Sequence, residues 1–346
     1  MKNILAVGFM IWFAVCSETV SGQAIANKER VLRIGFYNSE NYFDPYVDST
    51  VNYHEFEPDG NHHWTPARYH IKRQHIFKVI TAMGGWHGMD IMAFAEVENR
   101  FVLEDLLKNT PLGTEKYGII HFDSPDHRGI DVGLIYRKSG FHPFYARPVP
   151  VRSAKDHDLK TRDILYVKGR VGRDTLQLFI NHWPSRYGGL MATVSKRLLA
   201  ARILCRVVDS VCKRDHNAHI LILGDFNETI TDKGLQWVLH ADTTCAIIAL
   251  PPHFDNGLVK GTIRSTSGWT IFDRILCSKN LVTETSRILV VDKSFHIFDA
   301  PFLMENDEKN MGLKPFRTYQ GFKWQGGFSD HLPVYVDIAF QKPAKP

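Results

Sequence analysis

The chain lacks several features that would point to other classes of protein. Between residue 31 and the C-terminus it has no linker rich in proline, glycine or serine and no internal repeat, which favours one large domain. No C-x-x-C or H-E-x-x-H pattern occurs, so the usual zinc-site signatures are absent. With 44% apolar and 23% charged residues, it also lacks the composition of a disordered protein.

The apolar segment at the N-terminus is too short to span a bilayer. Lys2 precedes an apolar run, Ile4–Val15, that has the length of the hydrophobic region of a signal peptide. Val20 and Gly22 supply small residues at positions −3 and −1 of a cleavage site. We therefore predict that residues 1–22 are a signal peptide and that the protein is exported, to the periplasm or the extracellular space.

Four cysteines remain once this segment is removed. Cys205 and Cys212 lie seven residues apart in a strongly helical stretch, which separates them by ~10 Å at 1.5 Å per residue. A disulfide needs Cα atoms within ~7 Å, so these two cannot pair without unwinding the helix. A bridge between Cys245 and Cys277 stays open, and so does the alternative of buried free thiols.

Two kinds of hydrophobic pattern predict the secondary structure. A helix is expected to begin at Thr65-Pro66, a cap residue followed by proline at the first helical position. A second helix should run from about Ala192 to Lys213, with its basic residues Lys196, Arg197, Arg202 and Arg206 on a solvated face. Short runs rich in β-branched residues predict strands at Leu32–Tyr37, Asp90–Glu96, Tyr117–Asp123, Asp131–Arg137, Thr175–Asn181, His219–Gly224, Trp269–Cys277 and Pro333–Ala339. Strands outnumber helices, which favours an α/β fold with sheet packed on sheet and helices outside.

Acids, amides and histidines end, follow or precede five of these runs. A single polar residue at a strand end is usually a turn former. Three carboxylates, two amides and two histidines together are the ingredients of a hard-cation site with a general base, and oxygen ligands favour Mg²⁺. These residues are Asn38, Glu96, His182, Asp225, Asn227, Asp330 and His331.

At these positions the sequence resembles the endonuclease/exonuclease/phosphatase superfamily. The resemblance implies a four-layer α/β/β/α sandwich of two mixed sheets flanked by helices, over residues 31–340. It also implies a divalent metal, Mg²⁺ or Mn²⁺, in one or two copies. The matching stretches, in the order of the family, are FYNSENYFD (36–44), FAEVEN (94–99), GIDVGLIYR (129–137), NHWPSR (181–186), GDFNET (224–229), FDRIL (272–276) and SDHLPV (329–334).

The resemblance also implies a role for each matching residue. Asp225 resembles the residue that orients or deprotonates the attacking water, and Asn227 its neighbour on the phosphate. His182 and His331 resemble the two histidines that contact the phosphate. Asp273 is similar to the carboxylate that orients His331, and we predict a hydrogen bond between the two.

Metal and substrate contacts follow from the same comparison and from the C-terminal sequence. Asn38 and Glu96 resemble the metal-side pair, with Glu96 as the principal ligand, and Asp330 matches a further metal-side acid. Asp131 falls where some nucleases have an acid that pairs with the first histidine. Arg317, Lys323 and Trp324 belong to a stretch of alternating cations and aromatics before the last motif, as in surfaces that bind single-stranded nucleic acid; a packed loop is the alternative.

Two further residue groups have less specific interpretations. His62-His63-Trp64 is either a second metal site or plain surface, and we expect surface. Glu40 and Glu98 flank the motifs, and we expect them behind the site or facing solvent.

These observations together predict an exported, metal-dependent phosphoesterase, most simply a monomeric nuclease without a membrane span. The net charge of +5 agrees with a polyanionic substrate but does not require one. A phospholipid (sphingomyelinase-like) or inositol-phosphate phosphoesterase is the alternative within the same chemistry, although no exposed aromatic hairpin is evident. A non-catalytic binding protein on the same fold is a third possibility, but none of the motif acids or histidines is missing.

N-terminal sequencing of protein recovered from the native cell envelope tests the export prediction. We expect the first residue to be Gln23. An intact Met1 would contradict export and would fit a buried N-terminal helix instead. A lipid-modified Cys16 would indicate anchoring, which the bulky Val15 before it disfavours.

Overall fold

The structure is a computed structural model that describes residues 30–46, 53–153, 156, 159–241, 245–284 and 286–340. The predicted signal peptide, residues 1–22, lies outside the described residues. No helix in the described part of the chain is long and apolar enough to cross a membrane.

The described residues form four α-helices and a larger number of strands. The helices are α1 (Pro66–Gly84), α2 (Arg100–Lys108), α3 (Leu190–Arg214) and α4 (Lys233–Leu239). The strands, in chain order, are β1 (Arg30–Tyr42), β2 (Ile91–Val97), β3 (Tyr117–His121), β4 (Asp131–Arg137), β5 (His142–Val149), β6 (Ile164–Val171), β7 (Asp174–His182), β8 (His219–Asp225), β9 (Ile247–Ala249), β10 (His253–Phe254), β11 (Ile263–Ser265), β12 (Gly268–Thr270), β13 (Asp273–Ser278), β14 (Ile288–Val290), β15 (His296–Ile297), β16 (Met304–Asn306), β17 (Leu313–Pro315), β18 (Tyr319–Gln320), β19 (Lys323–Trp324) and β20 (Val334–Phe340).

Two mixed sheets carry the fold. The first has the order β10-β15-β20-β1-β2-β4-β3, with β14 also paired to β20, and the second has the order β5-β6-β7-β8-β13-β9. The first sheet contains the parallel pair β1–β2 and the short parallel pair β10–β15, and the second contains the parallel pair β7–β8. The other pairs in these two sheets are antiparallel. The predicted α/β sandwich of two mixed sheets is confirmed.

The alternation of side chains along β8 shows how the layers stack. Leu221 and Leu223 join the core between the two sheets, whereas Ile220 and Ile222 join a second core with α3 and α4. Successive residues of a strand point to opposite faces, so a strand buried on both faces needs a continuous apolar run. The helix α1 packs on the other sheet through residues such as Ile76.

All eight predicted strands have a counterpart with shifted ends, but three strands of the second sheet, β5, β6 and the short β9, were missed. The edge strand β5 contains Pro143 and Pro148 and is largely exposed, which obscures the strand pattern. In its neighbour β6, Lys168 and Gly169 interrupt the apolar run. The predicted strand Trp269–Cys277 is divided between β12 and β13.

The helix predictions are right in position but wrong about one basic residue. Helix α1 begins at Pro66, and the Thr65 side chain accepts a hydrogen bond from the Arg68 amide, as expected of a cap. On α3, however, Arg197 is fully buried rather than solvated. Its guanidinium lies 3.3 Å from the Glu228 carboxylate, so burial of this charge is compensated by an ion pair.

The prediction that Cys205 and Cys212 do not pair is confirmed, but the possible Cys245–Cys277 bridge is wrong, and the alternative of free thiols is right only for Cys205 and Cys277. Cys212, near the end of α3, forms a disulfide with Cys245, and their Cα atoms are 5.5 Å apart. Cys245 and Cys212 belong to the core under α3, whereas Cys277 faces the core between the sheets. Cys245 and Cys277 therefore lie on opposite faces of the second sheet, and Cys277, like Cys205, is free.

Candidate active site

The two parallel strand pairs bring the predicted site residues to one end of the sandwich. In the first sheet Asn38 on β1 pairs with Ala95, next to Glu96 on β2. In the second sheet His182 at the end of β7 pairs with Asp225 at the end of β8. Parallel strands end at the same edge of a sheet, so residues distant in sequence meet there.

Between these strand ends lies an open cleft of about 900 Å³. Of the predicted site residues, the cleft is lined by Asn38, Glu96, His182, Asp225, Asn227, Arg317, Asp330 and His331. Asp273 lies directly behind His331.

Asp225 is at the centre of the hydrogen bonds in this cleft. Its carboxylate accepts from the Asn38 amide at 3.1 Å, from the Asn227 backbone N–H at 2.9 Å and from the Asn227 side chain at 3.2 Å. Burial and the nearby Asp273 raise the pKa of Asp225 to about 6, against the lowering effect of His331 and these donors. A carboxylate with a pKa near neutrality suits proton transfer at physiological pH.

His331 is held by the predicted hydrogen bond to Asp273. Its Nδ1 lies 2.8 Å from Asp273 Oδ2, which confirms this contact, and its Nε2 lies 3.8 Å from Asp225 Oδ2. Burial alone would lower the pKa of His331, but Asp273 and Asp225 raise it well above its ordinary value. The ring is therefore an imidazolium at neutral pH.

His182 has the opposite protonation. Its Nε2 lies 3.6 Å from Asp225 Oδ2 and 3.8 Å from Glu96 Oε1. Burial, Arg162 and Arg128 lower the pKa of His182 well below its ordinary value, so the ring is neutral. Two histidines whose environments push their pKa values apart are the mark of a site with divided acid–base roles.

The oxygen atoms around Glu96 fit a hard divalent cation. Glu96 Oε2 accepts from the Asn41 backbone N–H at 3.0 Å, and Oε1 lies 3.8 Å from Arg128 Nη2 and 3.8 Å from Nε2 of the neutral His182. The side-chain oxygen of Asn41 is buried without a hydrogen-bond partner. Carboxylate and amide oxygens are the ligand types of Mg²⁺ and Mn²⁺. The cluster Asp225, Asp273 and His331 also has metal-ligand spacing, but the ring of His331 already lies 2.8 Å from Asp273 and 3.8 Å from Asp225.

Strained backbone is concentrated at this cleft. Of the eight described non-glycine residues with positive φ, four line it: Glu40 (47°), Asn41 (59°), Glu96 (59°) and Asn227 (50°). Such conformations cost about 1–3 kcal/mol each for non-glycine residues and are typical of functional sites. At Gly224 a Cβ would lie 2.1 Å from the Asn181 carbonyl oxygen, so only glycine allows Asp225 to be placed beside His182.

Arg317, Glu40 and Asp330 form one ionic cluster at the rim of the cleft. Arg317 Nη2 lies 3.2 Å from Glu40 Oε1 and 3.0 Å from Asp330 Oδ2. Glu40 is buried, so the sequence interpretation of it as a flanking residue missed its direct contact with the site.

Three residues that were predicted to bind substrate do not lie in the cleft, and one histidine that was predicted to lie on the surface is buried. Asp131 lies 3.0 Å from His121 instead of pairing with His182, because β4 starts on the far side of β2. Trp324 packs against Trp64 and Tyr319, and the exposed Lys323 shares its short hairpin, as in the packed-loop alternative. His62 and Trp64, predicted as surface, are buried in the same aromatic cluster.

Several residues that line the cleft gave no signal in the sequence. Four of them lie in loops outside the motifs, where a lone basic or aromatic residue resembles ordinary surface, whereas Asn41 on β1 and Lys196 on α3 were not predicted to belong to the site. The full set is Asn41, Arg128, Lys160, Arg162, Tyr187 and Lys196.

Comparison with solved structures places this fold among known phosphoesterases. An endonuclease/exonuclease/phosphatase from Bacteroides vulgatus is 13% identical over 90% of this chain and 100% of its own, with a TM-score of 0.56. D. rerio TDP2 complexed with single-strand DNA product is 12% identical over 90% of this chain and 99% of its own, with a TM-score of 0.52. A mannosyl-6-phosphatase of Bacteroides thetaiotaomicron is 16% identical over 89% of this chain and 100% of its own, with a TM-score of 0.53. At these identities the likeness establishes the fold alone, and a search of curated proteins gave no match.

A family model extends the agreement to the sequence itself. The model described as Endonuclease/Exonuclease/phosphatase family matches residues 33–340, which includes every motif that meets in the cleft. The chain therefore belongs to the endonuclease/exonuclease/phosphatase family and is a phosphoester hydrolase of this divalent-metal-dependent group.

Proposed function

We propose that the protein is an exported, Mg²⁺-dependent phosphodiesterase that acts on nucleic acid as a monomer. The observation that carries the phosphodiesterase assignment is the position of Asp225, between the imidazolium of His331 and the neutral His182. Asp225 can act as a base, and the neighbouring His331 is a cationic hydrogen-bond donor to the same reacting centre.

The side chains divide the chemistry between them. Asp225, oriented by Asn38 and Asn227, accepts a proton from the water molecule that attacks phosphorus, while the P–O bond to the leaving oxygen breaks and that oxygen departs and is protonated from solvent. His331 donates a hydrogen bond to a phosphoryl oxygen as negative charge accumulates there, and Asp273 keeps its ring oriented. Glu96, with the oxygens of Asn38 and Asn41, would hold the divalent ion, which supplies Lewis-acid neutralisation of the anionic phosphate.

Five basic side chains line the cleft among seven carboxylates, and they offer several contacts to a polyanionic substrate. The basic side chains are Arg128, Lys160, Arg162, Lys196 and Arg317. A chain of phosphates gains from several such cations at once, whereas a single small phosphoester uses one or two. The proposal also agrees with the DNA product named for the D. rerio relative.

One observation favours a phospholipid substrate as a second candidate. Tyr187 and Met191 are 93% and 84% exposed, and Tyr187 lines the cleft. Exposed apolar side chains beside basic residues are typical of protein surfaces that contact lipid interfaces. These two side chains belong to a loop and to the start of α3, not to an aromatic hairpin, and lipid is the second substrate class to test.

A substrate panel with and without metal tests the proposed function. We expect hydrolysis of DNA or RNA with Mg²⁺ or Mn²⁺, none after EDTA, and recovery when metal is restored. Sphingomyelin, inositol phosphates and a sugar phosphate are the competing substrates. Exclusive hydrolysis of one of these would replace the nuclease assignment, and full activity in excess chelator would refute the metal mechanism.

Glu96→Gln tests the metal position, because it removes charge but little volume. The Mn²⁺ concentration for half-maximal activity should rise more than ~10-fold, since even residues that merely support metal ligands cost that much. The thermal midpoint of unfolding should stay near that of the wild type. An unchanged Mn²⁺ requirement would place the ion elsewhere.

His331→Gln, Asp273→Asn and the double variant test the histidine–aspartate unit. Each single change should lower kcat by ~10²–10³, the cost of one oriented donor in a preorganised site. The double variant should be little worse than His331→Gln, because residues that act as a unit are non-additive. Asp255→Asn is the matched control, since Asp255 lies 2.6 Å from His296 outside the cleft, and its kcat should not change. Penalties that multiply would show that Asp273 acts independently of His331.

A further inference from the structure

The cleft contains two groups of carboxylates, and they differ in what surrounds them. Glu96 accepts a hydrogen bond from the Asn41 backbone N–H, whereas Glu40 and Asp330 lie together beside Arg317 at the rim. Two neighbouring carboxylates in a metal-dependent cleft are the donor set expected for a second divalent ion. What those two carboxylates contact therefore decides how many ions the site holds.

Both oxygens of Glu40 are already engaged by fixed donors. The Thr318 backbone N–H donates to Oε2 at 2.6 Å, and Arg317 donates to Oε1 through Nε and Nη2, each at 3.2 Å. The same Nη2 donates to Asp330 Oδ2 at 3.0 Å, so one guanidinium bridges the two acids. Planar guanidinium groups bind carboxylates in this way more rigidly than ammonium groups do.

A second buried cation supports the same pair of acids. Lys72 on α1 is fully buried, and its ammonium group donates to the Thr318 hydroxyl and the Phe328 carbonyl oxygen, each at 2.5 Å. It acts electrostatically on both Glu40 and Asp330. Two acids therefore face two basic groups, although burial lowers the pKa of Lys72 to about 8, and at neutral pH little net negative charge is left at the rim to attract a divalent ion.

The surroundings of Glu96 are more open. Its Oε1 lies 3.8 Å from the Arg128 guanidinium and 3.8 Å from the neutral ring of His182, and the buried oxygen of Asn41 lies nearby without a hydrogen-bond partner. We propose, building on the phosphodiesterase function above, that the site binds a single divalent ion at Glu96 and that Arg317 stands where a second ion would lie. Arg317 then contributes a fixed positive charge to the phosphate, and Asp330 serves to position Arg317 instead of ligating metal.

Counting bound Mn²⁺ tests this proposal without using activity. Free Mn²⁺ is measured by electron paramagnetic resonance during titration of the metal-free protein, which gives the number of sites. We expect one ion for the wild type and two for Arg317→Met, which keeps the aliphatic stem but frees Glu40 and Asp330. Arg128→Met is the matched control: it removes the cation 3.8 Å from Glu96 and leaves the rim intact, so it should bind one ion.

Each outcome separates this inference from the proposed function. Two ions on the wild type, or one ion on a folded Arg317→Met, would overturn the role of Arg317 and leave the phosphodiesterase assignment in place. No ion on the wild type would contradict the proposed metal mechanism itself. If Arg317→Met does not fold, wild-type crystals soaked in Mn²⁺ decide: one anomalous peak at Glu96 is expected, and a second between Glu40 and Asp330 would overturn the proposal.

Discussion

Two buried carboxylates that face each other across adjacent strands are the constraint on which the site depends. Asp225 on β8 and Asp273 on β13 are directly opposite in the antiparallel register, and both are almost completely buried. Like charges in such a pair repel, and an uncompensated buried charge typically costs about 3–5 kcal/mol. His331 compensates them by contacting both. The proton on His331 therefore stabilises the buried carboxylate pair as well as supplying a hydrogen-bond donor to the substrate.

The fold supplies the geometry that this arrangement needs. His331 is fixed just before β20, which pairs with β1, so the last strand brings the imidazolium to the edge where Asn38 lies. The parallel pair β7–β8 sets His182 beside Asp225 in the other sheet. The cleft thus forms only where the two sheets are stacked, and the strain at residues such as Glu96 is sustained by that packing.

Much of this could be predicted because polar residues that interrupt apolar runs stand out in a sequence. Asn38, Glu96, Asp225 and His331 each adjoin a buried strand, and the structure brings all four to one cleft. Contacts that depend on which face a residue occupies could not be predicted. Cys212 pairs with Cys245 because both lie under α3. Arg197 is buried because Glu228 lies beside it, and no local pattern encodes that contact.

Because contacts between distant residues could not be predicted, two of the residues predicted to bind substrate were assigned wrongly. Asp131 occupies a motif position, but the strand order places it next to His121. Trp324 shares the composition of a nucleic-acid surface and is instead packed against Trp64. Arg317, from the same stretch, does reach the cleft, where Glu40 and Asp330 hold it. Alternation of cations and aromatics indicates a type of surface but not which side chains remain free to bind.

The protonation state of His331 tests the central claim most directly. Nitrogen NMR of the metal-free protein labelled with ¹⁵N-histidine distinguishes an imidazolium from a neutral ring, and the spectrum of His331→Gln assigns the signals. We predict that both ring nitrogens of His331 carry protons at pH 7 and still do so at pH 8, because Asp273 and Asp225 raise its pKa. A neutral His331 ring at pH 7 would contradict the account.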